Sequence, residues 1–380
     1  MIYFDHAATS YPKPPEVLEE AAKVIKHFAG NPGRGDYALA KDSGHYLYQA
    51  RKTVAEFLGI RPSSNLIFTD GCTTSANVLL KGYLRQGDHV VFSSMEHNAN
   101  WRPLKALESR GISLTKVNVL GDAKSAVSRL EGALTHSTRL FVAVHGSNVS
   151  GDLLPLEELT ECAHRYGIKV YCDMAQTAGF LPMNLSSLGV DFASFAGHKS
   201  LLGPGGVGML YIKDEKDVAP LKHGGTGMHS ESPDMPEFLP DRLESGTPNL
   251  MGIGGLMGGI RYIKNQGVEQ INRHEISLTE RFLAGLEQMD HVTVYGPQRG
   301  MPRVPVVSLN VGNLSPHKTS QHLEEKAEIA VRSGLHCSPL AHETLGTLGR
   351  GTVRFSFGYH NTEEEVDTAL EVLNDLKFII

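Results

Sequence analysis

Through the first two thirds of the chain, short apolar runs rich in Val, Ile and Phe alternate with stretches of helical period. Residues 65–70 (NLIFTD), 89–94 (HVVFSS), 112–119, 140–145 (LFVAVH), 169–174 (KVYCDM), 191–195 and 207–213 each read as a strand. Helical patterns fall between some of them, at about 74–85, 102–109 and 156–165. Strands that are apolar on both faces and separated by helices predict a mostly parallel sheet covered on both sides, an α/β fold.

The last third reads differently. Two helical stretches fill 252–289, strands follow near 292–295, 304–311 and 352–357, and a final helix opens at Thr362. Thr362 and Glu365 make a capping box, and Val366, Ala369, Leu370, Leu373 and Leu376 recur at helical spacing. These features predict a smaller α+β C-terminal domain. The expected division is an N-terminal arm of the small domain (1–14), a large domain (15–250) and the small domain itself (251–380). Segment 222–242 (KHGGTGMHSESPDMPEFLPDR) lacks apolar periodicity and predicts a long loop, either functional or a plain surface excursion.

Composition narrows the class. A chain of 380 residues, 41% hydrophobic and 21% charged, can bury a large core and form more than one domain. Its 40 glycines fit an enzyme with many tight loops. A net charge of −6, without a basic stripe, argues against nucleic acid. No apolar run approaches the roughly 18 residues that span a bilayer, and MIYFDHAATSYPKP does not resemble a signal peptide. A cytoplasmic protein is expected. Cys72, Cys162, Cys172 and Cys337 form neither a CxxC pair nor a zinc spacing, so free thiols in a reducing compartment and no metal are expected. The first three sit in apolar surroundings or at a strand end and read most simply as core thiols.

The candidate chemistry starts at Lys199. The stretch SFAGHKS ends a strand in a small-residue turn that presents one lysine, a candidate for a Schiff base with an aldehyde. Asp173 closes the strand KVYCD; a carboxylate there needs a partner, and a protonated pyridine nitrogen is one. Gln176 follows three residues later, in reach of a phenolic oxygen. Gly71-Cys72-Thr73-Thr74 lies between a strand and a helix, where free N–H groups bind phosphate. His97 and Asn148 follow strands at the same sheet edge, where the ligand crevice of such folds lies. Arg332 and Arg354 are candidates for a substrate carboxylate. Cys337 stands in RSGLHCSP, flanked by Gly and Pro, and Arg332 and His336 are cations or potential cations that would favour its thiolate.

Together these segments resemble the class V aminotransferase-like enzymes, which use pyridoxal 5′-phosphate (PLP), and within them the cysteine desulfurase and selenocysteine lyase branch. The likeness spans nearly the whole chain. It rests on DHAAT at 5–9, MEH at 95–97, SNV at 147–149, DMAQ at 173–176, GHK at 197–199, GTPN at 246–249 and RSGLHC at 332–337. It implies a PLP-dependent transferase fold of type I, with a mostly parallel seven-stranded sheet, and a homodimer. By the same resemblance Lys199 carries the cofactor, Asp173 partners its ring nitrogen, His97 stacks on the ring as acid or base, and Gln176 meets the phenolic oxygen. Thr73 and His198 hold the phosphate, with Cys72 beside them, and Gly246 and Thr247 reach the phosphate site of the other subunit. Asn148, Arg354 and Arg332 hold the substrate carboxylate, and Cys337 takes up the sulfur. The short context of Cys337 is similar to the group II branch. Three positions depart from the family pattern: Ala196 replaces a common Ser, Cys72 a small hydroxyl residue, and Gly33-Arg34-Gly35 lacks the usual preceding His, which leaves Arg34 as the substrate contact across the dimer.

The resemblance implies conversion of L-cysteine, or selenocysteine, to alanine, with sulfur passed through Cys337 to a protein acceptor, as in iron–sulfur cluster assembly. Two alternatives stay open on the sequence. One is another class V reaction (transamination, racemisation or decarboxylation) with Cys337 incidental. The other is a sulfur-carrier docking protein of low intrinsic turnover. A nucleotide-binding protein is disfavoured, because no Gly-rich fingerprint follows the first strand.

Overall fold

The computed structural model describes residues 1–213, 218–228 and 230–378. A seven-stranded sheet forms its centre, built from Leu66–Thr69, His89–Ser93, Ser113–Val117, Thr138–Val144, Lys169–Asp173, Phe192–Ala196 and Gly208–Ile212. Each strand falls on one of the apolar runs. Across the sheet the strands that begin at 66, 208, 192, 169, 138, 89 and 113 lie side by side in that order. The five from 192 to 113 run parallel, and the strand at 208 is antiparallel to both of its neighbours. Every residue of His89–Ser93, Phe192–Ala196 and Gly208–Ile212 is buried, which is why these strands show no polar alternation.

Several helices escaped the periodicity. Ala38–Phe57 buries Ala40, Ser43, Ala50, Arg51, Val54 and Ala55, a stripe too small and polar to register as apolar. Pro15–His27, Ala123–Ala133 and Pro316–Ala327 were likewise not expected. Two helices start earlier than read. Cys72–Tyr83 begins directly after Gly71, and Asn98–Leu107 is capped by His97 and carries Pro103 inside it.

A second, antiparallel sheet orders Arg332–Gly334, Thr352–Ser356, Val306–Val311 and Val292–Tyr295. The strand Ile2–Tyr3 pairs in parallel with Ile329–Ala330, and Phe4 enters the same core as Phe282, Leu309, Phe355 and Leu373. The final helix, Glu363–Asp375, has the expected capping box at Thr362 and Glu365. The helix Leu250–Gln266 straddles the division expected at 250. Its Ile253, Leu256 and Ile260 join the core of the large sheet. It lies so close to the helix Pro15–His27 that a Cβ on Gly258 would stand 2.2 Å from the Glu16 carbonyl oxygen. Residues 218–249 carry neither helix nor strand among the described positions; His229 of the expected loop lies outside them. Among the described residues no helix is long and apolar enough to cross a membrane.

Candidate active site

Four neighbouring parallel strands end at Ser93, Val144, Asp173 and Ala196, and the loops beyond them carry His97, Asn148 and Lys199. Their carboxyl ends open on one cavity of about 340 Å³, lined also by Cys72, Thr73, Gln176, His198, Arg332, His336 and Arg354. This is the crevice position that an open parallel sheet offers.

Lys199 stands on a turn tied by Gly197 N–H to the Val207 carbonyl (3.0 Å) and by Leu202 N–H to the Lys199 carbonyl (2.8 Å). Burial, with Arg354 and Arg332 nearby, holds its ammonium below the usual lysine range, against the opposing pull of Cys72 and Asp173. Among the described residues no hydrogen bond occupies its amine. The N-terminal arm fixes the residue before it. Ser10 N–H, the Thr9 hydroxyl and the Lys13 ammonium all donate to the His198 carbonyl, at 3.0, 3.0 and 2.7 Å. Burial lowers the His198 imidazole to about 4, so it is neutral.

Asp173 is 5% exposed; it accepts from Ala175 N–H (3.0 Å) and from the Asn100 amide (3.3 Å), with no ion pair among the described residues. Burial pushes its carboxyl up, an environment that favours an added cationic N–H partner. Asn100 continues into a buried network: its amide also donates to Glu96 (2.7 Å), and its oxygen accepts from the Tyr171 hydroxyl (3.1 Å). Glu96 further accepts from the Ser93 hydroxyl (2.5 Å) and Val144 N–H (2.8 Å), and burial raises it to about 7. The sequence reading did not single out Glu96 and Asn100. Their only signal was Glu96 placed three residues after Ser93, and Asn100 four further on, beyond a strand end.

His97 accepts Ala99 N–H at Nδ1 (3.0 Å), so its neutral ring carries the proton on Nε2. Burial and the charges of Lys199, Arg332, Arg354 and Arg102 lower it to about 3. Gln176 donates one amide N–H to the Ala7 carbonyl (3.0 Å), which leaves the other for a ligand. At the start of Cys72–Tyr83, a Cβ on Gly208 would stand 2.4 Å from the Gly71 Cα. The strand Gly208–Ile212 thus presses this helix N-terminus close, with its first N–H groups toward the cavity. Cys162 and Cys172 are core thiols, whereas Cys72 lines the cavity, and burial with Asp173 pushes its thiol well up.

The second sheet supplies the other wall. Arg332 and Arg354 are directly paired in register across neighbouring strands. Arg354, 1% exposed, pairs with Asp5 at 2.5 Å and donates to the Asn148 carbonyl at 3.0 Å, while its Nε has no partner among the described residues. Two guanidinium groups side by side with one carboxylate leave positive charge that calls for an anion. The Asn148 amide is engaged elsewhere than expected: Nδ2 donates to the His336 carbonyl and Oδ1 accepts from the Ser338 hydroxyl, both at 2.8 Å. It therefore anchors the turn of Cys337, and the second N–H of its amide is left for a ligand in the cavity it lines.

Cys337 is exposed and adjoins Arg332 and His336, which line the cavity, with its Sγ 3.2 Å from an Arg332 nitrogen. Only four residues separate the strand Arg332–Gly334 from the helix Pro339–Thr344, so the turn is short. His336 and Cys337 both have positive φ, 51° and 59°, conformations that cost non-glycine residues about 1–2 kcal/mol each. Asn98 N–H holds the Cys337 carbonyl at 2.8 Å, and with Asn148 it offsets that strain. Gly246, Thr247 and Arg34 are not brought to Lys199. Gly246 and Thr247 line a separate cavity of about 510 Å³, which shares Asp70 with the first, and Arg34 donates to the Gly225 carbonyl (2.8 Å).

The residues present fit PLP: an amine without a hydrogen-bond partner among the described residues, a buried carboxylate open to a pyridinium N–H, a neutral imidazole, and a helix N-terminus for phosphate. The model of the Aminotransferase class-V family matches residues 2–369. A protein of Methanothermobacter thermautotrophicus named probable cysteine desulfurase is 33% identical, over 99% of this chain and 94% of that protein. A cysteine desulfurase of Escherichia coli is 33% identical over 97% and 91%. The solved apo structure of cysteine desulfurase from Thermococcus onnurineus superposes with a TM-score of 0.91, at 34% identity, covering all of this chain and 95% of that one. Fold, cavity and full-length similarity together show that this chain belongs to the class V aminotransferase family.

Proposed function

We propose that this chain is a cysteine desulfurase, which converts L-cysteine to L-alanine and leaves the sulfur as a persulfide on Cys337. The observation that carries this reading is one exposed thiol in a strained turn, directly after His336 and against Arg332, two residues that line the cavity with Lys199 and Asp173. When bound, PLP supplies an electron sink for a carbanion at the substrate α-carbon. The chain's own groups do the rest. Asp173 would accept from the ring nitrogen, neutral His97 would lie beside the ring, and Gln176 would donate to the phenolic oxygen. Thr73, His198 and the Cys72–Tyr83 N-terminus would hold the phosphate.

Arg354 and Arg332 receive the substrate carboxylate, with the second N–H of Asn148, whose other amide bonds hold the Cys337 turn. The Lys199 amine, free and neutral once substrate is bound, removes the α-proton. The Cys337 thiolate, favoured by Arg332, attacks the substrate sulfur: an S–S bond forms and the C–S bond breaks, its electron pair staying with the β-carbon, and protons taken up at the β-carbon and then at the α-carbon give alanine. Selenocysteine fits the same sequence of steps.

The cavity lined by Gly246 and Thr247 supports a homodimer in which these residues of one copy complete the phosphate site of another, with Arg34 beside them. The exposed Cys337 suits transfer to a protein acceptor. Free thiols at all four cysteines suit the cytoplasm.

The deciding experiment is Cys337→Ala in the holoenzyme. L-Cysteine should still change the visible cofactor band, while alanine formation falls by at least about 10³-fold, the scale of losing a nucleophile. Undiminished alanine formation would refute the role of Cys337, and transamination products in its place would favour another class V reaction.

A further inference from the structure

Behind Cys337 lies a pair of buried histidines whose protons are fixed by their partners. The His336 Nε2 faces the Arg332 carbonyl at 3.1 Å, and a carbonyl only accepts, so Nε2 carries the hydrogen. A neutral imidazole has one N–H, which makes His336 Nδ1 an acceptor. Its partner is His342 Nε2 at 3.2 Å, which must therefore donate. The His342 Nδ1 is then an acceptor too, and the Thr347 hydroxyl lies 2.7 Å away to donate to it. The rings stack with centroids 5.3 Å apart and 24° between planes. His336 is 2% exposed, His342 0% and Thr347 4%.

The result is a one-way chain, Thr347 O–H to His342 to His336 to the Arg332 carbonyl, in which every polar ring atom is satisfied. In this direction it holds only while His336 is neutral, since a second proton on that ring sets its Nδ1–H against the His342 Nε2–H. Burial and the charges of Arg354 and Arg332 keep His336 unprotonated, and burial does so for His342. The chain ends on the residue whose guanidinium touches Cys337, and it passes through the residue that precedes Cys337 and shares its left-handed backbone.

We propose that His342 and Thr347 are positioning residues that aim Cys337 at the substrate sulfur by locking His336 in one tautomer and one rotamer. The proposal rests on the desulfurase reading. Neither residue lines the cavity, and both are buried behind His336, unlike the exposed Cys337, so neither reaches cofactor or substrate.

The test uses holoenzyme and three variants. His342→Leu removes both ring hydrogen bonds, Thr347→Val removes only the terminal donor at nearly equal volume, and His342→Gln retains an N–H and an oxygen in its side-chain amide. Two rates are read. One is alanine formation from L-cysteine, which needs Cys337. The other is exchange of the α-proton of L-alanine in D₂O, which needs the cofactor and Lys199 but not Cys337. A misplaced nucleophile costs on the order of ten- to a hundred-fold. The expected result is that loss in kcat for His342→Leu, with KM for L-cysteine within about two-fold and proton exchange unchanged. Thr347→Val should lose less, and His342→Gln should recover most of the rate. Equal kcat in wild type, His342→Leu and Thr347→Val would overturn the proposal, as would an equal loss of proton exchange in both variants, which marks general damage. If His342→Leu does not fold, Thr347→Val decides alone by the same two rates. Absence of alanine from wild type would instead sink the desulfurase reading.

Discussion

Glu275, on the helix Val268–Leu286, is 6% exposed and faces a small cavity shared with His6, Lys199, Ser356 and Tyr359. Among the described residues it has no cationic partner. Burial pushes its carboxyl from the ordinary 4.5 up to about 8, opposed only by the Tyr359 N–H. At neutral pH the folded protein keeps this carboxyl protonated, whereas the unfolded chain ionises it. The unfolded state then binds fewer protons, so stability falls with rising pH from about 4.5 and levels off above about 8. Between about pH 5.5 and 8.5 that linkage removes roughly 3 kcal/mol, at 1.36 kcal/mol for each pH unit over which only the unfolded carboxyl is ionised. With an unfolding entropy of about 2.1 cal/mol/K per residue, a chain of this length converts 3 kcal/mol into about 4 °C. Glu275→Gln removes the ionisation and keeps the shape. Thermal unfolding of holoenzyme at fixed PLP, followed by calorimetry at both pH values, should show the variant gaining about 4 °C on wild type between the lower and the higher pH. Parallel Tm curves across that range would refute the reasoning, whatever constant offset separates them.

Two further outcomes follow from ion pairs. Arg354→Lys loses the planar fork and should raise KM for L-cysteine about ten- to a hundred-fold, measured by steady-state kinetics, with the larger share of the loss in KM rather than kcat. Arg51 donates two hydrogen bonds to Glu244 in a nearly buried bidentate ion pair, at 2.6 and 2.8 Å, and Glu244 also accepts from Phe68 N–H. Arg51→Met leaves that carboxylate unpaired and should cost about 3–5 kcal/mol, read as a Tm lower by about 4–6 °C.

The strands were legible because buried parallel strands must be continuous apolar runs. The helix Ala38–Phe57 was not, because its inner face is Ala, Ser and Arg. In the site, strand ends revealed Lys199, Asp173, His97 and Asn148, since a polar residue closing an apolar strand needs a reason. What a side chain bonds to was less visible. Asn148 grips the Cys337 turn, and His342 reaches His336 through a helix of six residues that the pattern did not show. Glu96 and Asn100 support Asp173 from another strand end, a contact that spans 73 residues between Asn100 and Asp173. Such partnerships depend on how distant segments pack, and no local period encodes them.

The clasp between the arm and the second sheet has a consequence for how the protein comes to be made. Asp5 and Arg354 are 349 residues apart, and Ile2 pairs with Ile329. The arm therefore leaves the ribosome several hundred residues before its partners do. The large sheet can collapse while the chain is still growing, but the arm cannot settle until those partners arrive. Since the same arm grips the His198 carbonyl beside Lys199 and neutralises Arg354, the lysine turn and the anion pocket mature in a single late event. A nascent chain stopped short of Arg354 would hold a formed sheet without a finished place for its substrate.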